Sequence, residues 1–299
     1  MIHFLQNSGI DKAAWDACIT NSGKGMIYGM SWYLDLVSPG WCALEQGNYS
    51  VIMPLPVKKK YSISYIIQPV YAQQLGIFSI EKLSAKAISD FIEAIPPVYR
   101  FMALNFNSDN PIPSGRFSYR MNANYELALH RNYPELVASY QSNTRRNIQK
   151  ASDIVISFDG NADELLHLKT LNTAKDRKKI PSSEISRFIS TVLEKGSGFI
   201  CSASSEGQTC AAVFFLQHKK RIYYLIPVSN TTGKEKKAMF AIVDKVIQKY
   251  AGTETVLDFE GSNIPGIARF FEGFGALNHP YPSLVINRLP FPLNQFRKI

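Results

Sequence analysis

Residues 255–276, TVLDFEGSNIPGIARFFEGFGA, read as a short strand, a Gly-Ser break and an apolar helix. On an extended strand Val256, Asp258 and Glu260 share one face, and Leu257 and Phe259 share the other. Gly261 ends the strand. Ser262 or Asn263 is placed to cap a helix, and Pro265 suits its first turn. Ile267, Phe270, Phe271 and Phe274 follow at i, i+3, i+4 and i+7, which makes a packing stripe, and Gly275 suits the left-handed position at the helix end. Folding accounts for all of this except the two acids. A carboxylate at a strand's end beside a cleft, with its pKa raised by burial, can take a proton from an amine nucleophile. It can also pair with an Arg or Lys of a neighbouring element. Both roles stay open for Asp258 and Glu260.

Upstream lie three strand-like runs, GFICSASSEG, TCAAVFFLQHKK and RIYYLIPVS, joined as antiparallel hairpins by turns at Gly207 and at Lys219-Lys220. Their aromatic residues read mainly as core, with Tyr224 able to offer its hydroxyl to a cleft. The next segment, VSNTTGKEKKAMF at 228–240, leaves a strand and opens a long helix whose stripe is Met239, Ile242, Val243, Val246 and Tyr250. Such a junction presents backbone N–H groups and the positive end of a helix dipole to an anion. Gly233 would let the backbone approach closely, and Lys234, Lys236 and Lys237 add charge. The junction carries neither a P-loop nor a dinucleotide fingerprint. A solvated basic turn is the other reading.

A second basic stretch, SNTRRNIQKA at 142–151, reads as a helix capped by Ser142 or Asn143. Arg146 and Lys150 fall on one face, with Arg145 about a quarter-turn away. The three cations suit a phosphate clamp or an exposed face packed by its aliphatic stems. A third group, Lys175, Arg177, Lys178 and Lys179, follows a helical segment, where positive charge complements the dipole.

The balance of 33 Lys+Arg against 24 Asp+Glu, a net charge of +9 over 299 residues, favours an anionic partner or simple solubility. The four cysteines and five histidines show no zinc-ligand spacing, so no metal is expected. The apolar runs are too short to span a bilayer, and the N-terminus reads as no secretory signal, so a cytoplasmic protein is expected. The first half reads as a sheet with fewer helices. Residues 10–21, 31–38 (with Ser31 as N-cap) and 81–94 are helical, and the strands lie between residues 41 and 71 and near YRFMALNFN.

Taken together, SNTRRNIQKA, the following VISFDGNADELLHLKTLNTAKDRKK and LDFEGSNIPGIARFFEGFGA resemble the Fem peptidyltransferase family and its relatives among GNAT-type acyltransferases. Those proteins carry a basic TRRxIxKA helix and a D-F-x-G-S element. The resemblance covers nearly the whole chain. It implies an α/β (α+β) fold of two tandem GNAT-like domains, residues 1–133 and 134–299, with mostly antiparallel sheets flanked by helices. It also implies acyl or aminoacyl transfer to an amine, from an acyl-CoA or an aminoacyl-tRNA used as a substrate, with no tightly bound cofactor. An anionic small molecule or tRNA is the expected partner, and DNA is not. Residues 152–200 leave no room for the coiled-coil arm of many Fem enzymes, so the chain is similar to short bacterial members. The pyrophosphate loop of simple GNAT enzymes, Gln/Arg-x-x-Gly-x-Gly/Ala, is echoed only by Asn230, Gly233 and Lys234. Glu260 or Asp258 would then accept the proton. Gly233, Lys234, Lys236 and Lys237 would hold a donor phosphate, Arg145, Arg146 and Lys150 a second anionic group, and Tyr224 and Ser262 would line the cleft. A binding protein for RNA or another ligand that keeps the fold without the chemistry is the alternative.

Overall fold

The computed structural model describes residues 1–23, 25–60, 63–112, 117–172 and 180–291. Lys175, Arg177, Lys178 and Lys179 lie outside the described residues. The chain divides into two compact units, Met1–Asn122 with Pro280–Ile299, and Ala123–His279.

The first unit runs β1 (Ile2–Leu5), α1 (Lys12–Asn21), α2 (Ser31–Val37), β2 (Cys42–Gln46), β3 (Val51–Leu55), β4 (Val57–Lys60), β5 (Ile63–Ile67), β6 (Phe78–Ser79), α3 (Ala85–Glu93), β7 (Phe101–Asn105) and β8 (Tyr119–Asn122). One sheet has the order β1-β2-β3-β6. The other is β4-β5-β7, then the C-terminal strand Tyr281–Asn287, then β8. Ser31 is the first residue of α2 rather than its cap, because Asp16 takes both its N–H (2.7 Å) and its hydroxyl (2.8 Å). Leu44, Met53, Phe91, Leu104 and Leu284 meet in the core.

The second unit runs β9 (Tyr125–Ala128), α4 (Tyr133–Ala138), α5 (Ser142–Lys150), β10 (Val155–Ser157), α6 (Ala162–Asn172), α7 (Ser182–Glu194), β11 (Gly198–Ser205), β12 (Gln208–His218), β13 (Arg221–Ser229), α8 (Thr231–Glu235), α9 (Ala238–Tyr250), β14 (Val256–Asp258), α10 (Pro265–Glu272) and β15 (Leu277–Asn278). Its seven strands lie in the order β10-β11-β12-β13-β14-β9-β15. All neighbours are antiparallel except β13 and β14, which are parallel. The tight β11–β12 turn puts Glu206 and Gly207 at φ of +53° and +78°, the conformation a two-residue hairpin requires. Val213, Phe215, Ile242, Val246, Leu257 and Phe274 are fully buried between sheet and helices.

These boundaries differ from a division at residue 133. Strand β9 pairs with β14 and β15 and so belongs to the second sheet, while the last strand joins the first unit between β7 and β8. Both pairings join segments far apart in sequence, which no local pattern reports.

Candidate functional site

Strands β13 and β14 run side by side for three pairs, Arg221–Val256, Ile222–Leu257 and Tyr223–Asp258. Beyond these they part. On β13 the register with β12 shifts at Leu225, so that Phe214 opposes Ile226 while Phe215 opposes Tyr224, a bulge that bends the strand. On the other side the chain leaves the sheet at Glu260, which is left-handed at φ +57°. Its N–H donates to Asp258 Oδ1 (2.9 Å), and its carbonyl accepts the N–H of Tyr125 (3.1 Å). The opening is a cavity of about 500 Å³. Tyr224, Leu225, Pro227 and Ser229 of β13 line it, with Phe259–Ser262 after β14, Gly233, Lys234, Lys237, Met239 and Phe240 around the start of α9, and Gly266, Ile267, Phe270 and Phe271 of α10.

Six of the residues singled out in the sequence meet here: Tyr224, Gly233, Lys234, Lys237, Glu260 and Ser262. Glu260 and Asp258 do not share a face as a continuing strand would require, because β14 ends at Asp258 and Glu260 sits in the left-handed turn. Asp258 is 1% exposed and accepts a hydrogen bond from Arg221 Nη1 at 2.8 Å. Burial raises its pKa, partly offset by the Arg221 guanidinium. Lys236 turns away from the cavity to Asp153 (2.6 Å) and Glu206 (3.9 Å). Arg145 donates to the Ala138 carbonyl (3.4 Å) and Arg146 to Asn143 Oδ1 (2.8 Å), and with Lys150 they stand exposed on α5 outside the cavity lining. Helix α5 meets α10 at its C-terminal end, where the Gln141 N–H donates to Gly273 (2.9 Å). At 1.5 Å per residue, that is about 12 Å along the axis from the Gly261 end.

The caps also depart from the sequence pattern. Helix α10 starts at Pro265 with Ile264 as N-cap. Ser262 Oγ takes the Ile264 N–H, and Asn263 Oδ1 is drawn across to the N–H of Ala123. Helix α5 begins after Gln141, whose side chain makes no cap bond. The first member of the α10 stripe, Ile267, is 41% exposed at the cavity instead of joining the core.

Gly233 is required by packing. An added Cβ would lie 2.4 Å from the Cys210 carbonyl oxygen and 2.5 Å from Ser229 Oγ. Its N–H donates to Asn230 Oδ1 at 2.9 Å, so the short α8 turn satisfies its own amide. The longer α9 has Lys237 as its N-cap at φ +60° with no side-chain cap bond, which turns its positive end and two lysines toward the cavity.

The aromatic wall was not legible as a site. Phe259 stacks on Phe271 at 4.8 Å, Phe240 meets Phe270 edge-on at 4.8 Å, and Tyr224 lies edge-on to Phe271 at 6.0 Å. In the sequence these phenylalanines look like core, and only their place beyond the strand separation makes them a wall. Tyr224 is 7% exposed, and its hydroxyl has no hydrogen-bond partner among the described residues. Burial raises its pKa, so it stays a protonated donor. No His/Cys/Asp/Glu group able to hold a metal ion occurs among the described residues, and none of their helices is long and apolar enough to cross a membrane.

FemX matches over 96% of this chain and 98% of its own, with a TM-score of 0.71 at 12% identity. The fold is that of FemX and the tandem GNAT proteins. The tandem GNAT protein from the clavulanic acid biosynthesis pathway matches with a TM-score of 0.56 at 11% identity, over 97% of this chain and 99% of that one. The C-terminal domain of a putative lysylphosphatidylglycerol synthetase from Agrobacterium fabrum matches with 0.58 at 10% identity, over 96% and 95%. No family model matches the chain, and no curated protein matches it.

Proposed function

We propose that the second unit transfers an acyl group from an anionic donor to an amine acceptor. One observation carries the reading: a carboxylate, a protonated phenol and two lysines beside a helix N-terminus converge on one aromatic-walled cavity where β13 and β14 separate. Glu260 takes the proton as the amine nitrogen bonds to the acyl carbon. The bond from that carbon to the donor's oxygen or sulfur breaks. Tyr224 donates a hydrogen bond to the departing atom, and Lys234, Lys237 and the α9 N-terminus hold the donor's anionic part. The free edge of β13 beyond Tyr223 offers backbone N–H groups to the oxyanion. No covalent enzyme intermediate is needed, since positioning alone supplies several kcal/mol. The aromatic wall keeps water from competing with the amine.

The Gly233 turn bears on the donor. With its N–H committed to Asn230 and its Cα packed against Cys210, it has no amide of its own to seat a pyrophosphate. This favours a donor gripped by lysine side chains, an aminoacyl-tRNA, over an acyl-CoA. The same turn also supports a second reading, a binding protein for RNA or another ligand that lacks the chemistry.

A radiolabel transfer assay with charged tRNA and with acyl-CoA, over a panel of amine acceptors, tests these readings, alongside thermal shift with each donor. Transfer from charged tRNA that Glu260→Gln abolishes is the expected result. Stabilisation by tRNA with no transfer from any donor would establish the binding protein instead. Transfer from acyl-CoA alone would reverse the donor assignment.

A further inference from the structure

Behind the cavity, in the same unit, lies a buried charge cluster that the transfer reading does not use. Arg221, at the start of β13, is 18% exposed through its side chain and donates to Asp258 Oδ2 at 2.8 Å. It also reaches both oxygens of Glu126 on β9, Oε1 at 3.0 Å and Oε2 at 3.2 Å. The sheet places them together: Tyr223 opposes Asp258 on β14, and Asp258 opposes Glu126 on β9. The guanidinium therefore ties three adjacent strands at the point where β13 and β14 begin to part.

Asp258 divides its two oxygens. Oδ2 faces Arg221, and Oδ1 receives the N–H of Glu260. The Glu260 carbonyl is held by Tyr125, the neighbour of Glu126, and the Phe259 N–H returns to the Tyr125 carbonyl at 2.9 Å. Glu260 needs such a frame. A non-glycine residue in the left-handed region is disfavoured, and it persists only where its surroundings over-determine it.

We infer that Arg221 is a positioning residue for Glu260: through Asp258 it locks the left-handed turn that aims the Glu260 carboxylate into the cavity. The inference rests on the reading of Glu260 as the proton acceptor. Arg221 touches neither donor nor acceptor. It neutralises the buried Asp258 and the partly buried Glu126, and fixes the one whose other oxygen holds the Glu260 amide. A lysine does not replace it, because an ammonium lacks the planar fork in which Nη1 and Nη2 take both oxygens of Glu126 while Nη1 also holds Asp258 Oδ2.

Two readouts on the full chain test this. In Arg221→Lys, exchange of the Glu260 amide hydrogen, followed by NMR, rises about tenfold or more while amides in α9 keep their protection. In the transfer assay kcat falls about tenfold while the KM for charged tRNA stays within about twofold, because binding groups are untouched and alignment is lost. Asp258→Asn gives the same local exchange signature, since one amide oxygen cannot serve both Arg221 and the Glu260 N–H, and it decides the matter if Arg221→Lys does not fold. A folded variant with an unchanged Glu260 amide, or a loss of protection spread evenly over the unit, overturns the inference and leaves only a structural ion cluster. If wild-type protein transfers nothing, the transfer reading fails, and the exchange experiment still decides whether Arg221 governs the turn.

Discussion

Asp258 and Glu260 stand two residues apart, and their surroundings could hardly differ more. Asp258 ends β14 inside the sheet, 1% exposed, with its oxygens spoken for by Arg221 and the Glu260 amide. Glu260 lies just past the sheet in a left-handed turn, half-buried against an aromatic cavity with two lysines on its lining. The two basic regions divide in the same way. Lys234 and Lys237 meet the cavity beside the α9 N-terminus, whereas Arg145, Arg146 and Lys150 face solvent on α5. In both pairs residue type and spacing are nearly equal. What separates the buried acid from the one that lines the cavity is that Asp258 falls before, and Glu260 after, the point where β13 and β14 part.

That contrast breaks first at Asp258. Replacing it with Ala leaves Arg221 with Glu126 alone and the Glu260 N–H without its acceptor, and unfolding in denaturant should show a loss of about 3–5 kcal/mol, the usual cost of removing one partner of a buried ion pair. A loss under about 1 kcal/mol would mean the cluster is solvated and Asp258 is free for another role. Glu260→Gln should do the opposite. Its stability stays near wild type while kcat for transfer falls by about 10²–10⁴, the range for removing a general base. A variant that is both destabilised and fully active would exchange the roles assigned to the two acids.

Gly233→Ala probes the α8 turn. The new Cβ meets backbone at Cys210 rather than a flexible side chain, and overpacking of this kind costs about 1–3 kcal/mol. Tighter tRNA or coenzyme A binding by this variant would contradict a purely packing role for the glycine. The smallest effect separates the two cation sets. In a fluorescence-anisotropy titration with tRNA over a range of salt, replacing Lys234 and Lys237 with Ala lowers the log–log salt slope by about 1 per lysine. Replacing Arg145 and Arg146 changes it less. Equal slopes for the two double variants would put α5 in the binding surface and remove the contrast.

Much of this arrangement is written locally. The hairpins of β11, β12 and β13 follow from strand-like runs punctuated at Gly207 and at Lys219-Lys220. The stripe along α9 and the break at Gly261 are visible as periodicity and punctuation. Gly275 adopts the left-handed conformation, φ +85°, that its position after an apolar helix suggests. Other features follow no local rule. Arg221 is hidden beside Lys219 and Lys220 and reads as one more turn cation, although it bridges two strands distant in sequence. Ser262 and Asn263 have capping chemistry, yet α10 begins after Ile264 because Asn263 is needed at Ala123.

The sequence by itself determined the element types, the mixed α/β class and the identity of most polar groups that meet at the cavity, because helix periodicity, strand alternation and turn chemistry act over a few residues. Only the tertiary structure decided that β9 joins the second sheet and the last strand the first, that Asp258 is an ion-pair partner while Glu260 opens to a cavity, and that α5 stays outside it. Those outcomes depend on strand register and on one left-handed residue. A backbone rotation at Glu260 redirects a side chain whose sequence context is unchanged.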